Sequence, residues 1–208
     1  MRNVDKKLSS NNPVTRLNCA KCMDWTPTPE QVEMGLNDIE WKVRQAWVNR
    51  MDWTPTPEQV EKGLDDGDYD VRAAWVSRRD WNPTLKQVKE GLASWDWAIR
   101  REWALRTDFK VTHEQVEMGI TDEDHDVRCA WARRMDWTPT SEQVESGLSD
   151  DTSRVRVAWA ERMDWTPTRE QIESGLNDCS NEVVDAWIGR LEPPSPKGDG
   201  FLSVLLWR

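Results

Sequence analysis

The sequence predicts an all-α fold of stacked helix pairs, an α-solenoid, and three observations support this prediction. A unit of 28 residues occurs six times in tandem without a gap. Each copy contains two short segments whose apolar residues recur at helical spacing. Two such helices cannot bury a core alone, whereas stacked copies can. The copies, called repeats 1 to 6 with internal positions 1 to 28, are 23–50, 51–78, 79–106, 107–134, 135–162 and 163–190.

The first helix of each repeat is predicted from a threonine–proline signal. Four of the six repeats contain Thr-Pro-Thr near their start. A threonine followed by a proline is typical of an N-cap and a first helical residue, because the hydroxyl accepts an unpaired N–H and proline has none. The helix should run to position 14 and bury Val32 and Leu36. Position 13 is glycine in every repeat, which permits a tight exit or close helix packing.

The second helix of each repeat is predicted from an aspartate followed by an apolar stripe. Position 16 is aspartate in five repeats and Ser94 in repeat 3, and both are N-cap residue types. The buried face should contain position 21, an alanine and the tryptophan at position 25. These tryptophans are Trp47, Trp75, Trp103, Trp131, Trp159 and Trp187, and each repeat ends with an arginine at position 28.

The segments outside the repeats differ from them in composition. Residues 1–22 are predicted to be a flexible lead-in followed by a degenerate capping helix, which would form an N-terminal half-repeat. Residues 191–208 are predicted to be a Pro/Gly linker and an apolar tail, 201–208. The tail would cover the open end of repeat 6, or dock on a partner or on a second copy of the chain.

Two stretches carry a resemblance to known families. Leu36 to Ala46, with the pattern L-x-D-x-x-x-x-V-R-x-A, resembles the HEAT-like repeat motif. Asp24 to Val32, DWTPTPEQV, resembles the leucine-rich repeat variant, in which a turn joins the helices. The resemblance covers 23–190 and implies an α-solenoid; members of these families bind proteins, and some HEAT-like members bind or repair DNA. The tryptophan at position 25 departs from the small residue of that pattern.

The composition of the chain narrows the range of functions that are compatible with the sequence. The net charge of −10 argues against broad attraction to nucleic acid or to an anionic membrane. The N-terminus lacks the apolar segment of a secretory signal, no run is long enough to span a bilayer, and four cysteines fit a reduced, cytoplasmic protein. Two histidines and no recognisable catalytic motif predict a protein that is not an enzyme. The cysteine spacing predicts no metal site, and no cofactor is expected.

Polar residues that recur in every repeat are interpreted as a structural ladder between neighbouring repeats, since residues copied in each unit usually serve the interface. The alternative is a polar surface presented to a ligand. The predicted ladder combines arginines at position 22 with aspartates at position 2: Arg44, Arg72, Arg100, Arg128, Arg156, Asp24, Asp52, Asp80, Asp108, Asp136 and Asp164.

Repeat 3 diverges from the others and is the predicted contact site for a partner. Its formal charge is +2, while the other five repeats carry −2 to −4. Aromatic residues and arginine dominate binding hot spots, and basic residues beside aromatics can also hold a nucleotide chain. The alternative is a drifted copy with solvated lysines. The candidate partner-binding residues are Trp95, Trp97, Arg101, Lys86 and Lys89.

Three functions are compatible with these observations. The first is a non-catalytic scaffold or inhibitor that binds a protein partner. The second is an acidic mimic of nucleic acid that blocks a DNA- or RNA-binding protein, suggested by acidic runs such as 65–70 and 122–126. The third is a HEAT-like nucleic-acid binder, which the net charge disfavours. The apolar tail could also mediate self-association.

Overall fold

The computed structural model describes residues 2–191, and every regular element within that range is an α-helix. The predicted linker and tail after Leu191 lie outside the described residues. The described helices are α1 (Arg2–Leu8), α2 (Pro13–Lys21), α3 (Pro29–Leu36), α4 (Trp41–Val48), α5 (Pro57–Leu64), α6 (Tyr69–Ser77), α7 (Leu85–Leu92), α8 (Trp97–Ala104), α9 (His113–Ile120), α10 (His125–Ala132), α11 (Ser141–Leu148), α12 (Ser153–Glu161), α13 (Arg169–Leu176) and α14 (Asn181–Leu191). The prediction of an all-α fold is confirmed.

The chain divides into two compact units, one of residues 1–137 and one that starts at residue 138. In the N-terminal unit each odd-numbered helix packs against the even-numbered helix that follows it. The even-numbered helices, α2 to α10, also contact one another in sequence and form a continuous layer. In the C-terminal unit α11 packs on α12, α13 packs on α14, and α12 contacts α14. This is the packing of consecutive helix pairs that a solenoid requires.

The N-terminal segment differs from the expectation of a lead-in and a single capping helix. Residues 2–8 form α1, and Leu8 is buried in the same cluster as Val32 and Trp47. The α1/α2 pair follows the 28-residue spacing, since Leu8 and Arg16 precede Leu36 and Arg44 by that distance. The buried contacts of Leu8 explain why this polar segment is ordered. It behaves as a diverged helix pair rather than a half-repeat.

The threonine at position 6 begins the first helix in every repeat. Thr28 accepts a hydrogen bond from the Gln31 backbone N–H, and the Gln31 side chain accepts one from the Thr28 N–H. This reciprocal capping box satisfies two N–H groups that the helix end leaves unpaired. The other first helices have the same box at Thr56, Thr84, Thr112, Thr140 and Thr168. Proline follows the N-cap threonine in repeats 1 and 2.

The second helix begins later than the sequence predicted. Position 16 was expected to be its N-cap, whereas the structure places the N-cap at position 18, as at Glu40 and Asp68. The position 16 carboxylate instead accepts the position 18 N–H; Asp66 Oδ1 lies 2.9 Å from the Asp68 nitrogen. Position 16 therefore closes the turn before the helix, and its second oxygen remains available to another repeat.

The glycine at position 13 has a packing role. A Cβ atom added at Gly63 would lie 2.0 Å from Nε1 of Trp75, and the same approach occurs between the glycine and the tryptophan of every repeat. Each position 25 tryptophan therefore lies against the backbone of the first helix of its own repeat, which leaves no room for a side chain there. In the α1/α2 pair, Lys7 takes the place of the glycine and Cys19 takes the place of the tryptophan. The two residues of this contact therefore change together.

A second aromatic ring packs in the core of repeats 1, 2, 3 and 6. In these repeats the ring at position 3 meets the tryptophan at position 25 edge to face; Trp53 and Trp75 have ring centroids 6.0 Å apart and planes at 77°. Trp81 and Trp103 repeat this geometry at 6.2 Å. Edge-to-face contact places the positive ring edge on the negative ring face, which is favourable beyond the buried area. The high tryptophan content therefore reflects one packing arrangement that is copied along the chain.

Candidate functional site

The arginine at position 28 is buried to 3% exposure or less in repeats 1 to 5. The Arg78 side chain donates to the carbonyl oxygens of Val48, Arg50 and Trp53, at 2.5, 2.7 and 3.0 Å. It also forms a two-point ion pair with Asp80, at 2.9 and 2.5 Å. Its guanidinium lies 4.3 Å from the centre of the Trp53 ring. One side chain therefore joins its own repeat to the preceding and the following one, through charge-assisted and cation–π contacts.

The aspartates at position 2 are the partners of these arginines. Asp52 receives two hydrogen bonds from Arg50, which hold the pKa of its carboxyl below the ordinary range. In the same way Asp80 pairs with Arg78, Asp108 with Arg106, Asp136 with Arg134 and Asp164 with Arg162. Cys22 lies two residues before Asp24, at the position where the other repeats have arginine.

The arginines at position 22 form a separate set of contacts. Arg44 donates to both oxygens of Asp66, at position 16 of the next repeat, with both distances 2.7 Å. It also donates to the Asp38 carbonyl oxygen at 2.8 Å. The sequence predicts one ladder of these arginines with the position 2 aspartates, whereas in the structure the two sets have different partners. Both kinds of contact join neighbouring repeats.

The ion pairs at position 22 raise the pKa of the arginines involved. The hydrogen bonds that Arg44 donates to Asp66, Arg100 to Asp122 and Arg156 to Asp178 are the largest cause in each case. The bond from Arg156 in turn lowers the pKa of the Asp178 carboxyl. Arg16 and Asp38 form the same pair at 2.6 and 2.8 Å, which extends this set of contacts to the α1/α2 pair.

The contact between the position 22 arginine and position 16 of the next repeat is incomplete at the boundary between repeats 2 and 3. Position 16 of repeat 3 is Ser94, so Arg72 has no carboxylate at the usual place. Arg72 donates to the Asp66 carbonyl oxygen at 2.8 Å and makes a single bond of 3.2 Å to Asp96. Its Nε atom donates to no atom among residues 2–191. Among Arg44, Arg72 and Arg100, Arg72 is thus the one without a two-point carboxylate partner.

A cleft of about 640 Å³ opens at this boundary, between α5 and α7. Arg72, Ser94 and Trp103 line it together with Glu61, Asp65, Lys86, Gln87 and Glu90. The corresponding cleft between α3 and α5 holds only about 30 Å³. There Gln59 donates to Glu33 at 3.2 Å and Lys62 contacts Asn37, which closes the space.

The predicted partner-binding residues of repeat 3 fall into three groups. Lys86 and Lys89 are exposed on α7, and Lys86 pairs with Glu90 at 3.9 Å. Trp95 lies in the turn between α7 and α8 with 86% of its surface exposed, and Trp97 begins α8 with 45% exposed. Arg101 lies further along α8 and pairs with Glu102 at 2.6 Å. The structure brings the two tryptophans to one edge, and no contact among the described residues joins them to the lysines.

Trp95 and Trp97 belong to a larger apolar surface, here called the aromatic strip: Ile39, Trp41, Tyr69, Trp95 and Trp97. These residues occupy positions 17 and 19 of repeats 1 to 3, and position 19 is the first residue of α4, α6 and α8. Because these helices contact one another in sequence, their first residues lie along one edge of the N-terminal unit. Ile39 is 93% exposed and Tyr69 53% exposed.

Sequence reasoning identified two residues of the strip and missed the other three. An alignment of the repeats at positions 17 and 19 would have found them, because no aromatic or large aliphatic residue occupies these positions in repeats 4 to 6. The residues there are Glu123, His125, Asp151, Ser153, Cys179 and Asn181. The buried position 28 arginines were seen as a repeated residue, but their role depends on three carbonyl groups that the sequence does not display.

Among residues 2–191 no group of three or more His, Cys, Asp and Glu side chains is placed to hold a metal ion. None of the described helices combines the length and the apolar character needed to cross a lipid bilayer.

The stacked helix pairs and the repeated arginine contacts define an α-helical repeat protein. The fold resembles that of a solved structure described as a leucine-rich repeat variant with a novel repetitive structural motif. The TM-score is 0.61, the sequence identity is 24%, and the match covers 91% of this chain and 71% of that chain. At this identity the similarity shows the fold alone. No protein-family model and no curated protein matches the sequence.

Proposed function

We propose that this chain is a non-catalytic repeat scaffold that binds a protein partner through the aromatic strip. The observation that carries the proposal is the exposure of Trp95, which is 86% exposed. Every tryptophan at position 25 is buried to 2% exposure or less, so the copied design hides its indole rings. An indole that lies outside that design, in solvent and next to other exposed apolar residues, is typical of a contact surface.

The position of the strip supports the same function. Its residues lie at the starts of packed helices or in the turns just before them, so the partner would meet a surface that is already ordered and would lose little entropy on binding. Tryptophan and tyrosine have few rotatable bonds and bury large areas, which makes them effective anchors. Most of the repeated arginines and aspartates do not compete for this role, since their charged groups pair between repeats.

The proposal favours a protein over a nucleic acid as the partner. Lys86, the basic residue of α7 that lines the cleft, shares it with Glu61, Asp65 and Glu90. These carboxylates would repel a phosphate backbone, and the net charge of −10 acts in the same direction. The acidic-mimic function remains a second proposal that differs in its salt dependence, because an interface of surface charges weakens steeply as salt rises.

Affinity capture from the source cell tests the proposal. The double variant Trp95→Ser, Trp97→Ser should retain the fold and lose a partner that the wild-type chain captures in both low and high salt. The matched control is Met163→Ser, which removes an exposed apolar side chain outside the strip. Capture that is unchanged by the double variant would reject the strip, and a partner released by salt alone would favour the acidic mimic. Nucleic acid recovered without a protein would reject both functions.

A further inference from the structure

The cleft between α5 and α7 contains Arg72, a position 22 arginine whose usual aspartate partner is replaced by Ser94. Arg44, Arg100 and Arg156 each hold an aspartate carboxylate through Nε and a second nitrogen, at 2.7 to 2.8 Å. At Arg72 the aspartate is replaced by Ser94, and only a single 3.2 Å bond to Asp96 takes its place. Asp96 is not a full substitute, since it receives this one bond at Oδ2 and none from the Arg72 Nε atom, while its Oδ1 accepts the Ala98 N–H.

We infer that the α5/α7 cleft binds one carboxylate group of a partner protein segment, which completes the contact that Ser94 leaves open at Arg72. The inference rests on the proposed function and names the chemistry of the partner: an Asp or Glu side chain, or a chain terminus. The group enters the cleft beside Trp95, since Ser94 lines the cleft and Trp95 is the next residue. Apolar residues that flank the carboxylate then pack on the aromatic strip.

The geometry of Arg72 favours a carboxylate. Its side chain is 16% exposed, so the guanidinium is partly desolvated and held in place by the Asp66 carbonyl oxygen. The free Nε donor faces the place where every complete copy of this contact has a planar carboxylate. A planar two-oxygen group matches the fork of the guanidinium, which makes the bond short and directional.

The charges in the cleft select against a phosphate. Glu61, Asp65 and Glu90 line the cleft, and Lys86 is paired with Glu90. A phosphate group with nearly two negative charges is repelled by these carboxylates more strongly than a carboxylate with one. The cleft between repeats 5 and 6 provides an internal comparison, because it holds about 450 Å³ but its Arg156 is already occupied by Asp178. Space alone therefore does not create the site.

The direct test is titration of the full chain with sodium acetate, at constant pH and constant ionic strength balanced with sodium chloride. The side-chain Nε–H resonances of the arginines are followed by 15N NMR. The Arg72 resonance should move and saturate with a Kd on the order of 10–100 mM, as expected for one charge-assisted contact. The Arg44 and Arg156 resonances, whose sites are filled, should stay in place.

Ser94→Asp is the decisive variant, because it supplies the missing carboxylate within the chain. Its Arg72 resonance should no longer respond to acetate, and the variant should unfold at a urea concentration equal to or above that of the wild type. Ala93→Asp is the matched control; it adds the same charge one residue away, and the acetate response should persist. An Arg72 resonance that ignores acetate in the wild type, or a tighter response to inorganic phosphate than to acetate, would overturn the inference.

Binding of the captured partner to variants of the cleft tests whether the cleft serves the proposed function. Ser94→Asp should reduce partner binding about tenfold or more, while Ala93→Asp leaves it within about twofold. If the tryptophan variants lose the partner but Ser94→Asp retains it, the scaffold function stands and the carboxylate site is wrong. If the tryptophan variants retain the partner, the scaffold function at the strip is wrong, and the acetate titration still decides the site by itself.

Discussion

At the scale of single residues, two buried contacts determine which side chains a repeat tolerates. The position 28 arginine is held by backbone carbonyls, one aspartate and two aromatic rings, so its truncation would leave several buried polar groups without partners. Loss of one member of such a buried pair costs about 3–5 kcal/mol. The position 13 glycine is required because an indole ring occupies the space of its absent side chain.

Gly63→Ala tests the glycine contact. The new Cβ would overlap the Trp75 indole, which is 2% exposed. Overpacking of this kind should lower the free energy of unfolding by about 3 kcal/mol, at the upper end of the usual range. Urea unfolding followed by circular dichroism measures the change.

Gly67→Ala is the matched control, because a Cβ at Gly67 would meet no atom within 4 Å. Its effect should stay within about 0.5 kcal/mol of the wild type, as for an ordinary surface substitution. Equal unfolding midpoints for the two variants would show that the indole does not lie against the Gly63 backbone.

At the scale of helices and turns, the sequence determined most of the regular structure. Threonine followed by proline predicted the start of the first helices, and the structure adds the glutamine three residues after the N-cap threonine, which completes a capping box. The second helices were predicted with the right buried face, but their start was placed at position 16 rather than position 18. Aspartate and serine fit a turn as well as an N-cap, so residue type alone could not separate the two positions.

The candidate site was less predictable than the helices. Trp95 and Trp97 were identified by their divergence from the other repeats, while Ile39, Trp41 and Tyr69 were missed. Tryptophan in this sequence is usually a core residue, and its exposure depends on which position of the repeat it occupies. The open Arg72 contact could not be derived either, because it requires knowledge that position 22 meets position 16 of the next repeat.

The ion pairs between elements also predict how stability changes with pH. Hydrogen bonds from Arg156 lower the pKa of Asp178, so this carboxylate stabilises the fold at pH values above its ordinary pKa of about 3.9. The stabilisation disappears as the pH falls through the lower pKa of the folded state. The variant Asp178→Asn should therefore be less stable than the wild type at pH 7, and the difference should shrink below about pH 4.

Urea unfolding of both proteins between pH 7 and pH 2.5 measures this difference. The comparison of two proteins at each pH removes the effect of the net charge, which changes in the same way for both. A stability difference that stays constant over this range, or grows as the solution is acidified, would show that Asp178 does not carry the charge-dependent contact to Arg156.

At the scale of the whole molecule, the described chain separates residues that build the stack from residues that face outward. Copied polar and aromatic side chains join neighbouring repeats, so stability comes from contacts that each repeat shares with its neighbours. The residues that break the copying, in positions 17 and 19 of repeats 1 to 3 and at Ser94, are exposed or line a cleft. Function is therefore proposed where the repeats differ, and stability is assigned where they agree.

Site-specific photo-crosslinking tests the central claim, that a protein partner lies on the aromatic strip, most directly. A benzophenone amino acid is placed at Trp95, and in a second protein at Asp151, which is exposed at the same position of repeat 5. Irradiation with the source-cell proteins should join one defined partner to position 95 and leave position 151 unlabelled. Labelling at position 151 alone, or equal labelling at both positions, would contradict the assignment of the strip as the binding surface.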